Sequence, residues 1–511
     1  MSSLNFLTIG LIIITIINCK INDGARILGI FPLQGSSHFV MCERLMKLLA
    51  KNGHQVDVIS HFPLKEPFPN YKDFSLNGTL HPIVNNVNYS DIHLFSTKSL
   101  KNLLLYAGDK VCELLKHPIL ENFIKNPPNH PPYDLVIIEI FAAPCYFAFS
   151  RHLKIPIIGI TTSSIYDWIN EPLGNPTNLA FVPCLFSSLP SKMNFWQRLM
   201  NVVLFNLVKY QFNYYADKQK RYIDESFGVG YPSIYELSTE FDLVFINSHY
   251  SLNGVKPMTP AIVEVGGLHI DNSGDKLIPE LQQWLDESNH GCIYMSFGSM
   301  VKIESFPKEI LKIFYTTFEN IAPVRILMKI ANKMELPPRL PNNVKTYHWL
   351  PQIQVLKHKN VKAFVTHGGL MGTLESIYAA VPMVGFPLFN DQIQNIKKYE
   401  EMKIAIFLEH ECVTSKKFTY ALNMILKNPK YRKNIKKLSK FYFDRLMNPQ
   451  DTVIFWVEYI LRNGNILRSR ATDINFYQVE LFDIYAFIAI LILLFIYLAY
   501  LIIKFIIKMI I

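Results

Sequence analysis

The residues from Phe364 to Gln392 constrain the fold of this 511-residue chain more than any other segment. They read FVTHGGLMGTLESIYAAVPMVGFPLFNDQ, so that a short apolar strand, a glycine turn, a helix and a second strand follow one another. Gly368 and Gly369 permit a tight turn with close backbone approach, and Pro382 ends the helix. This order predicts a strand–helix–strand unit of an open parallel α/β sheet.

Polar residues in this segment stand where the two predicted strands end. In an open parallel sheet, ligands bind outside the carboxyl ends of the strands, where helix N-terminal N–H groups favour a phosphate. The residues that would face one ligand there are His367, Gly369, Glu375, Asp391 and Gln392. Doubly wound folds also use glycine in turns that bind nothing, so the glycines alone leave a binding site and an ordinary turn equally open.

Two apolar segments near the ends of the chain predict its attachment to a membrane. Phe6 to Asn18 has the length of a signal-peptide core, so we expect residues 1–20 to be removed, with a buried first strand as the alternative. Ile484 to Ile503 contains no charge and would be about 30 Å long as a helix, the thickness of the hydrocarbon core. We expect residues 484–503 to span the membrane and residues 504–511 to form a short cytosolic tail.

Composition argues against several other classes of protein. Half of the residues are apolar, which is enough for two large cores. The net charge of +10 comes mainly from scattered lysines, so nucleic acid is not an expected partner. The seven cysteines contain no CxxC pair and no carboxylates have metal-binding spacing. The sequence therefore predicts neither a metal site nor a disulfide scaffold.

The strand and helix pattern divides the chain into two halves. Residues 21–260 open with a strand, the loop PLQGSSH and a helix from about Phe39, and the KPMTP segment ends this series. A second series occupies residues 261–483, and its first strand begins at Val263. The fold class we expect is α/β, with two doubly wound, Rossmann-like domains facing a cleft. The apolar stretch 195–215 is expected to be a buried helix, the alternatives being an acceptor wall or a membrane-facing surface.

Motifs along the chain resemble those of the UDP-glycosyltransferase family, the animal glucuronosyl- and glucosyltransferases. THGG, Glu375, PMVGFPLF and DQ match in the opening segment. The other matches, in family order, are VGGLH at 265–269, MSFGSM at 295–300, WLPQ at 349–352 and DTVIFWVEYILR at 451–462. The resemblance implies a GT-B fold with the acceptor on the N-terminal half and the donor on the C-terminal half. It also implies a UDP-sugar as co-substrate, with no metal or other cofactor.

The resemblance places the catalytic chemistry on His38 and Glu139. His38, in GSSHF after the first strand, matches the family's catalytic histidine, and an imidazole accepts a proton readily at neutral pH. Glu139 ends a strand where relatives commonly carry an aspartate, one methylene shorter, which would orient the histidine.

The resemblance also assigns the donor site. Trp349 would stack on uracil, Gln352 would hydrogen-bond the base edge or ribose, and Glu375 would bind the ribose hydroxyls. The residues expected around the diphosphate are Ser299, His367, Gly369, Gly372 and Thr373. Met371 stands where the vertebrate-like pattern has asparagine, so one phosphate contact is expected to be missing or moved to Thr373.

Asp391 and Gln392 would bind hydroxyls of the sugar, and no added arginine marks a carboxylate sugar. The predicted reaction is therefore inverting transfer of a hexose, with glucose favoured, to a hydroxyl of a small lipophilic acceptor, giving a β-glycoside. The alternatives are a catalytically silent, membrane-tethered binding protein and a transferase acting on a membrane lipid. Family likeness implies an endoplasmic reticulum membrane protein with luminal catalytic domains, and a homo-oligomer is possible. The sequons at Asn77 and Asn88 fit that orientation.

Overall fold

The computed structural model describes residues 24–95, 100–271, 276–389 and 391–510. The predicted signal peptide lies outside these residues. Two parallel sheets form the framework, with strand orders β3-β2-β1-β4-β5-β6-β7 and β10-β9-β8-β11-β12-β13. The strands of the first sheet are β1 Arg26–Phe31, β2 Gln55–Ser60, β3 Tyr71–Ser75, β4 Leu135–Glu139, β5 Ile157–Thr161, β6 Leu243–Ile246 and β7 Ile262–Glu264. Those of the second sheet are β8 Cys292–Ser296, β9 Arg325–Lys329, β10 Val344–Tyr347, β11 Val361–Thr366, β12 Met383–Gly385 and β13 Ala405–Phe407.

Helices pack on both faces of each sheet. Those associated with the first half are α1 Ser36–Lys51, α2 Leu100–Leu104, α3 Lys110–Cys112, α4 Pro118–Lys125, α5 Ala148–Leu153, α6 Phe195–Asp217, α7 Lys220–Phe227, α8 Ile234–Ser238 and α9 Tyr250–Asn253. The remaining helices are α10 Pro279–Asp286, α11 Lys308–Asn320, α12 Gln352–Lys357, α13 Leu370–Tyr378, α14 Gln392–Glu401, α15 Ser415–Lys427, α16 Pro429–Phe443, α17 Pro449–Asn463, α18 Phe476–Val479 and α19 Phe482–Ile510.

The two faces of each sheet enter separate hydrophobic clusters, as a doubly wound fold requires. In β1, Leu28 and Ile30 pack on one face, while Ile27 and Phe31 pack on the other. Successive side chains of a strand point to opposite faces, so a strand covered on both sides is apolar throughout. This explains why central strands such as β4, LVIIE, and β6, LVFI, are apolar runs without alternation.

The strand beginning at Val263 was predicted to open the second series, and this assignment is wrong. Strand β7, Ile262–Glu264, pairs in parallel with β6 and forms the edge of the first sheet. The KPMTP segment is therefore a connection within the first half. Proline interrupts strands and helices alike, so it marks the end of an element without marking the end of a domain.

Each half also contributes a segment to the other. Residues 83–92 extend from the first half to the second. Val87 and Ile92 of this segment pack in a core cluster of the second sheet. In the opposite direction, Val453 and Val457 of α17 join the cluster that contains α1. These exchanged segments hold the two sheets at a shared cleft.

The prediction that cysteines form no disulfide scaffold needs a correction, because Cys112 and Cys145 are joined by a disulfide. The two cysteines are separated by 33 residues and carry no spacing motif, so only the fold brings them together.

The stretch 195–215 was predicted to be a buried helix. It does form the helix α6, but the prediction that this helix is buried is wrong. The residues of α6 that are buried are Asn201, Phe205, Phe212 and Ala216, whereas most of its large apolar side chains are exposed. Apolar composition alone does not distinguish a helix buried in protein from one that faces another apolar phase.

The apolar segment near the end of the chain forms the helix α19, Phe482–Ile510, which is long and apolar enough to cross a membrane. It is longer at both ends than the predicted span 484–503. Its side chains are almost all exposed within the described chain, and its first residue, Phe482, packs edge-to-face on Phe476 of α18 with ring centres 5.7 Å apart. The helix fits a membrane anchor.

Candidate functional site

A cavity of about 1660 Å³ lies between the two halves, where the strands of both sheets end. The predicted site residues that line it are His38, Ser299, Trp349, Gln352, His367, Gly369, Gly372, Glu375, Asp391 and Gln392. Glu139 lies directly behind His38. Ligand sites at the carboxyl ends of parallel strands are the general rule for doubly wound sheets, and this cavity follows it.

His38 and Glu139 form a close pair. The Nδ1 atom of His38 is 2.6 Å from Oε1 of Glu139 and 3.0 Å from Oγ1 of Thr162. An ionised carboxylate only accepts hydrogen bonds, so Nδ1 carries a proton in this pair and the other ring nitrogen, Nε2, is left as the acceptor. His38 was expected in a loop, but α1 begins at Ser36 and places it in the first helical turn.

The protonation of His38 is set by two carboxyl groups. Burial lowers the pKa of His38, but the charge of Glu139, its hydrogen bond and the charge of Asp391 outweigh burial and raise the pKa above the ordinary 6.5. Asp391 belongs to the second half, so the charge that supports His38 comes from both sides of the cleft. Asp391 itself has a pKa raised by burial, and it accepts a hydrogen bond of 2.7 Å from Asn395.

The predicted nucleoside subsite combines an open aromatic face with a buried carboxyl group. Trp349 is 58% exposed at the cleft, and Gln352 donates a hydrogen bond to Glu375. Gly372 leaves room for this pair, since a Cβ there would lie 3.0 Å from Nε2 of Gln352. Burial raises the pKa of Glu375 to about 7 against the opposing effect of the Gln352 hydrogen bond. Removing a carboxylate from water disfavours its charged form, so protons compete with any ligand of Glu375 near neutral pH.

The predicted diphosphate subsite contains two buried polar atoms, Oγ of Ser299 and Nδ1 of His367, which have no hydrogen-bond partner within the described ranges. The glycines at 298 and 369 make room for the imidazole, because a Cβ on either would come within 2.8 Å or 2.7 Å of its ring. Burial and the charge of Lys329 lower the pKa of His367 to about 4. His367 is therefore neutral at pH 7 and can offer an N–H to a phosphate. A buried polar atom without a hydrogen-bond partner costs free energy, so a ligand that forms hydrogen bonds with these two atoms is favoured here.

Lys329 is a further candidate site residue, which the sequence did not lead us to predict. It ends β9, and its Nζ donates to Oδ1 of Asn85 at 2.6 Å and to the Gly298 carbonyl at 2.7 Å. Its Nζ also lies 5.2 Å from the centre of the Trp349 ring. Burial lowers the pKa of Lys329 to about 8. The rule that pointed to His367, a polar residue at the carboxyl end of a parallel strand, also applies to Lys329.

Thr373 does not reach the cleft, contrary to the prediction. Its side chain is fully buried, and its hydroxyl lies 2.9 Å from the Leu370 carbonyl and 3.0 Å from the hydroxyl of Tyr399. One helical residue corresponds to a rotation of about 100°, so when Gly372 faces the cleft its neighbour points into the core.

Met371 bridges the two halves of the protein. Its sulfur lies 3.4 Å from Nδ2 of Asn247, and its carbonyl lies 3.3 Å from Nε2 of His269. The side chain also packs against the apolar cluster around α1. The thioether is thus an inter-half contact at the edge of the cavity.

The predicted sugar subsite pairs Asp391 with Gln392. The amide oxygen of Gln392 accepts hydrogen bonds from the backbone N–H groups of Leu388, at 2.9 Å, and Phe389, at 3.1 Å. This leaves the NH₂ group of Gln392 as its donor toward a ligand. Across the described ranges, no three or more His, Cys, Asp or Glu side chains are grouped to hold a metal ion.

Comparison with known proteins identifies relatives over most of the chain. The chain is 31% identical over 474 residues to UDP-glucosyltransferase 2 of Dactylopius coccus, covering 91% of this chain and 90% of the relative. It is 34% identical over 475 residues to UDP-glycosyltransferase UGT5 of the same species, covering 91% and 88%.

A similar solved structure is Arabidopsis thaliana UGT89C1 complexed with UDP, with a TM-score of 0.57 and 16% identity over 86% of this chain and 99% of that one. At this identity the likeness shows the fold, which is GT-B as expected. Residues 78–511 match the family described as UDP-glucoronosyl and UDP-glucosyl transferase. The chain is a UDP-glycosyltransferase and belongs to this family.

Proposed function

We propose that this enzyme transfers glucose from UDP-glucose to a hydroxyl group of a small lipophilic acceptor, with inversion, giving a β-glycoside. The observation that carries the proposal is the His38–Glu139 pair, which opens on the same cavity as Trp349, Glu375 and His367. One cavity thus holds a candidate base next to candidate ligands for nucleoside and diphosphate.

His38 acts as the general base in this proposal. Its Nε2 takes the proton of the acceptor hydroxyl while the hydroxyl oxygen forms a bond to C1 of the sugar. The bond from C1 to the β-phosphate oxygen breaks, and UDP leaves with the electron pair. Glu139 keeps Nδ1 protonated and stabilises the imidazolium that forms. A general base contributes about 10²- to 10⁴-fold, so positioning of both substrates supplies much of the remaining acceleration.

Several groups of the second half stabilise the negative charge that develops on UDP as it leaves. Lys329 provides a cation, His367 a neutral N–H, and α13 the N–H groups of its first turn, which starts after Gly369. A helix N-terminus adds about 0.3 to 1 kcal/mol at exposed sites and up to about 2 kcal/mol when partly buried. The buried lysine compensates for the contact expected to be missing at Met371.

Glucose is favoured because Asp391 and Gln392 suit the hydroxyls of a neutral hexose, and the name of the relative UDP-glucosyltransferase 2 supports it. The acceptor faces an apolar wall on the first half formed by Phe141, Tyr166, Leu185, Phe186 and Leu189. This wall suits a phenol or a fused-ring alcohol, because apolar contact favours ligands that leave water readily.

We place the catalytic halves in the lumen of the endoplasmic reticulum, with α19 as a single span. The Cys112–Cys145 disulfide supports this orientation, since disulfides persist in oxidising compartments. Two candidate sequons, at Asn77 and Asn88, lie on the same side of the anchor.

Microsomes that contain the full chain provide the test. They would receive UDP-glucose, UDP-glucuronate, UDP-galactose or UDP-N-acetylglucosamine with a panel of phenols and steroid-like alcohols, and microsomes lacking the protein serve as the control. We expect glucose transfer to the small acceptors and a β configuration from the proton coupling at C1. Transfer of another sugar alone contradicts the donor assignment, an α product contradicts inversion, and labelled membrane lipid as the only product contradicts the acceptor class.

A further inference from the structure

Two lysines from opposite halves meet in the cavity, and the proposed reaction uses neither of them. Lys256 lies in the connection between α9 and β7 of the first half, and Lys398 lies on α14 of the second half. Burial, together with the charge of Lys256, lowers the pKa of Lys398 to about 8, so the two ammonium groups are neighbours. Like charges repel, so this arrangement is unfavourable until an anion lies between them.

One buried carboxyl group balances part of this charge. Asp167 lies close enough to Lys256 for its charge to act on that ammonium group. It already accepts hydrogen bonds from the thiol of Cys184, at 3.1 Å, and from the Leu185 N–H, at 3.0 Å. Burial raises the pKa of Asp167 to about 6, so the group is mostly ionised at pH 7 and offsets a single positive charge.

Two glutamates near the lysines do not complete the balance. Glu264 also acts on Lys256, but its carboxylate accepts hydrogen bonds from the Ser248 hydroxyl, at 2.7 Å, and from the Tyr250 N–H, at 3.2 Å. Glu401 is exposed at the end of α14, where water and salt screen its charge. Across the described ranges, neither ammonium group forms an ion pair or a hydrogen bond with another residue. The cavity therefore presents cationic groups that can bind an anion.

Helix α14 sets the distance from the lysine pair to the reaction centre. Asp391, whose charge acts on His38, stands directly before this helix. Asn395, which donates a hydrogen bond of 2.7 Å to Asp391, lies one turn further along. Lys398 follows on the same face of the helix, seven residues after Asp391. At 1.5 Å per residue, about 10 Å of helix separates the lysine from the carboxyl group beside His38.

The apolar wall of the acceptor pocket runs between the same two points. The ring centre of Phe141 lies 4.9 Å from that of the His38 imidazole and 6.0 Å from that of Tyr166. Asp167 is the next residue of the chain, and it lies beside Lys256. A flat molecule of two aromatic rings joined end to end, lying along this wall with a hydroxyl at His38, therefore directs its far end to the lysine pair.

We propose that the acceptor carries an acidic group at the end opposite the reacting hydroxyl, and that Lys256 and Lys398 bind this group between the two halves. The inference rests on the proposed function and narrows its acceptor to an aromatic alcohol with a carboxylate or sulfate about 10 Å from the hydroxyl. The anion removes the repulsion between the two ammonium groups and forms charge-assisted hydrogen bonds with both. Because each half supplies one lysine, the bound acceptor also links the two halves around the substrates.

Binding of two matched ligands to the detergent-solubilised full chain, with UDP present, tests the site without turnover. The first ligand is hydroxybiphenyl carboxylate, with the hydroxyl and the acid in para positions at the two ends. The second is the corresponding carboxamide, which has nearly the same shape and no charge. We expect the parent enzyme to bind the carboxylate at least about 10-fold more tightly. The double variant Lys256→Met, Lys398→Met should bind both ligands equally, and Lys416→Met, at an exposed position on α15, is the control.

The parent enzyme alone can overturn the proposal, since equal affinity for the carboxylate and the carboxamide shows that no cation reads the far end. A preference for the carboxylate that survives in the double variant also overturns it. Carboxamide binding reports whether each variant is folded. Weaker UDP binding by a double variant that still binds the carboxamide would assign the lysines to the donor and reject the proposal. Lys398→Arg keeps the charge and should keep most of the preference.

Turnover of the same two compounds separates this proposal from the proposed function. Microsomes that contain the full chain would receive UDP-glucose with either compound. We expect transfer to both, with a KM for the carboxylate at least about 10-fold lower in the parent enzyme and equal KM values in the double variant. Equal KM values in the parent enzyme overturn the acidic acceptor and leave glucosyl transfer standing. Transfer to neither compound contradicts the proposed function, whereas the binding comparison still decides whether the lysines bind the anion.

Discussion

The Nδ1 atom of His38 lies 2.6 Å from the Oε1 atom of Glu139, although 101 residues separate the two in the sequence. The contact follows from the sheet order, because β4, which ends in Glu139, pairs with β1, which leads into the helix that carries His38. The additional methylene of glutamate relative to aspartate is accommodated, and the side chain of Glu139 is 4% exposed behind the imidazole.

Glu139→Gln is expected to shift the acid limb of the pH–rate profile to lower pH. Burial lowers the pKa of His38, and Glu139 raises it above the ordinary 6.5. Removing the carboxylate charge therefore lowers the pKa of His38, because the effect of burial then predominates. A general base acts in its neutral form, so the activity of the parent enzyme rises with pH through a value above 6.5. The activity of the variant should reach its plateau at a lower pH, and that plateau should be lower than that of the parent enzyme. The measurement is kcat/KM against pH.

Glu139→Asp is the matched control, since it keeps the charge, and its limb should stay near that of the parent. Identical limbs in the parent and Glu139→Gln would show that Glu139 does not set the titration of His38.

UDP binding is expected to strengthen as the pH rises through the pKa of Glu375, which is about 7. Only the ionised carboxylate accepts two hydrogen bonds from the ribose hydroxyls. His367, with a pKa of about 4, does not titrate in this range, whereas Lys329, with a pKa of about 8, loses its charge at the upper end and weakens binding there, so the strengthening is expected below pH 8. Calorimetric titration of UDP from about pH 6 to about pH 8 measures the effect. Glu375→Gln should bind UDP more weakly and without this step; a step that persists in the variant would assign the titration to another group.

Most strands and most of the cleft could be predicted from the sequence. Buried parallel strands are apolar on both faces, so Cys292–Ser296 and Leu243–Ile246 stand out as short runs between polar segments. The edge strands Tyr71–Ser75 and Ala405–Phe407 were not predicted, because they are short and less buried. The cleft residues were predictable wherever a polar side chain follows a strand.

Lys329→Met is expected to weaken UDP binding and to leave uridine binding nearly unchanged. A charged hydrogen bond contributes about 1.5 to 3 kcal/mol, which corresponds to a rise in Kd of roughly 10- to 150-fold. Lys329→Arg retains the charge and should recover part of the affinity. Competition binding with UDP, UMP and uridine provides the measurement. An equal loss for all three ligands would place Lys329 at the nucleoside and not at the diphosphate.

The features that could not be predicted depend on how the elements pack in the folded chain. Thr373 and Gly372 are adjacent in the sequence, yet only Gly372 faces the cleft, and this depends on how α13 is rotated against its sheet. The Cys112–Cys145 disulfide and the inter-half contact of Met371 likewise depend on segments that meet only in the folded chain. The exposed face of α6 has the composition of a core helix, so burial could not be inferred from its residues alone.

Replacing Cys112 and Cys145 together by serine is expected to destabilise the first half by about 2 to 4 kcal/mol, because the crosslink restricts the unfolded chain. The thermal unfolding midpoint of the detergent-solubilised full chain should fall, and transfer activity at low temperature should persist. Cys412→Ser removes an exposed, unpaired thiol and serves as the control. A midpoint unchanged from that control would show that the disulfide does not stabilise the native protein.

The central claim is that His38 removes the acceptor proton. Its most direct test is turnover of the best acceptor by His38→Ala in microsomes, with UDP binding measured on the same preparation. We expect transfer to fall by at least about 10²-fold while the Kd for UDP is unchanged, because His38 belongs to the half opposite the donor site. Turnover equal to that of the parent enzyme, with intact UDP binding, would contradict the assignment of His38 as the base.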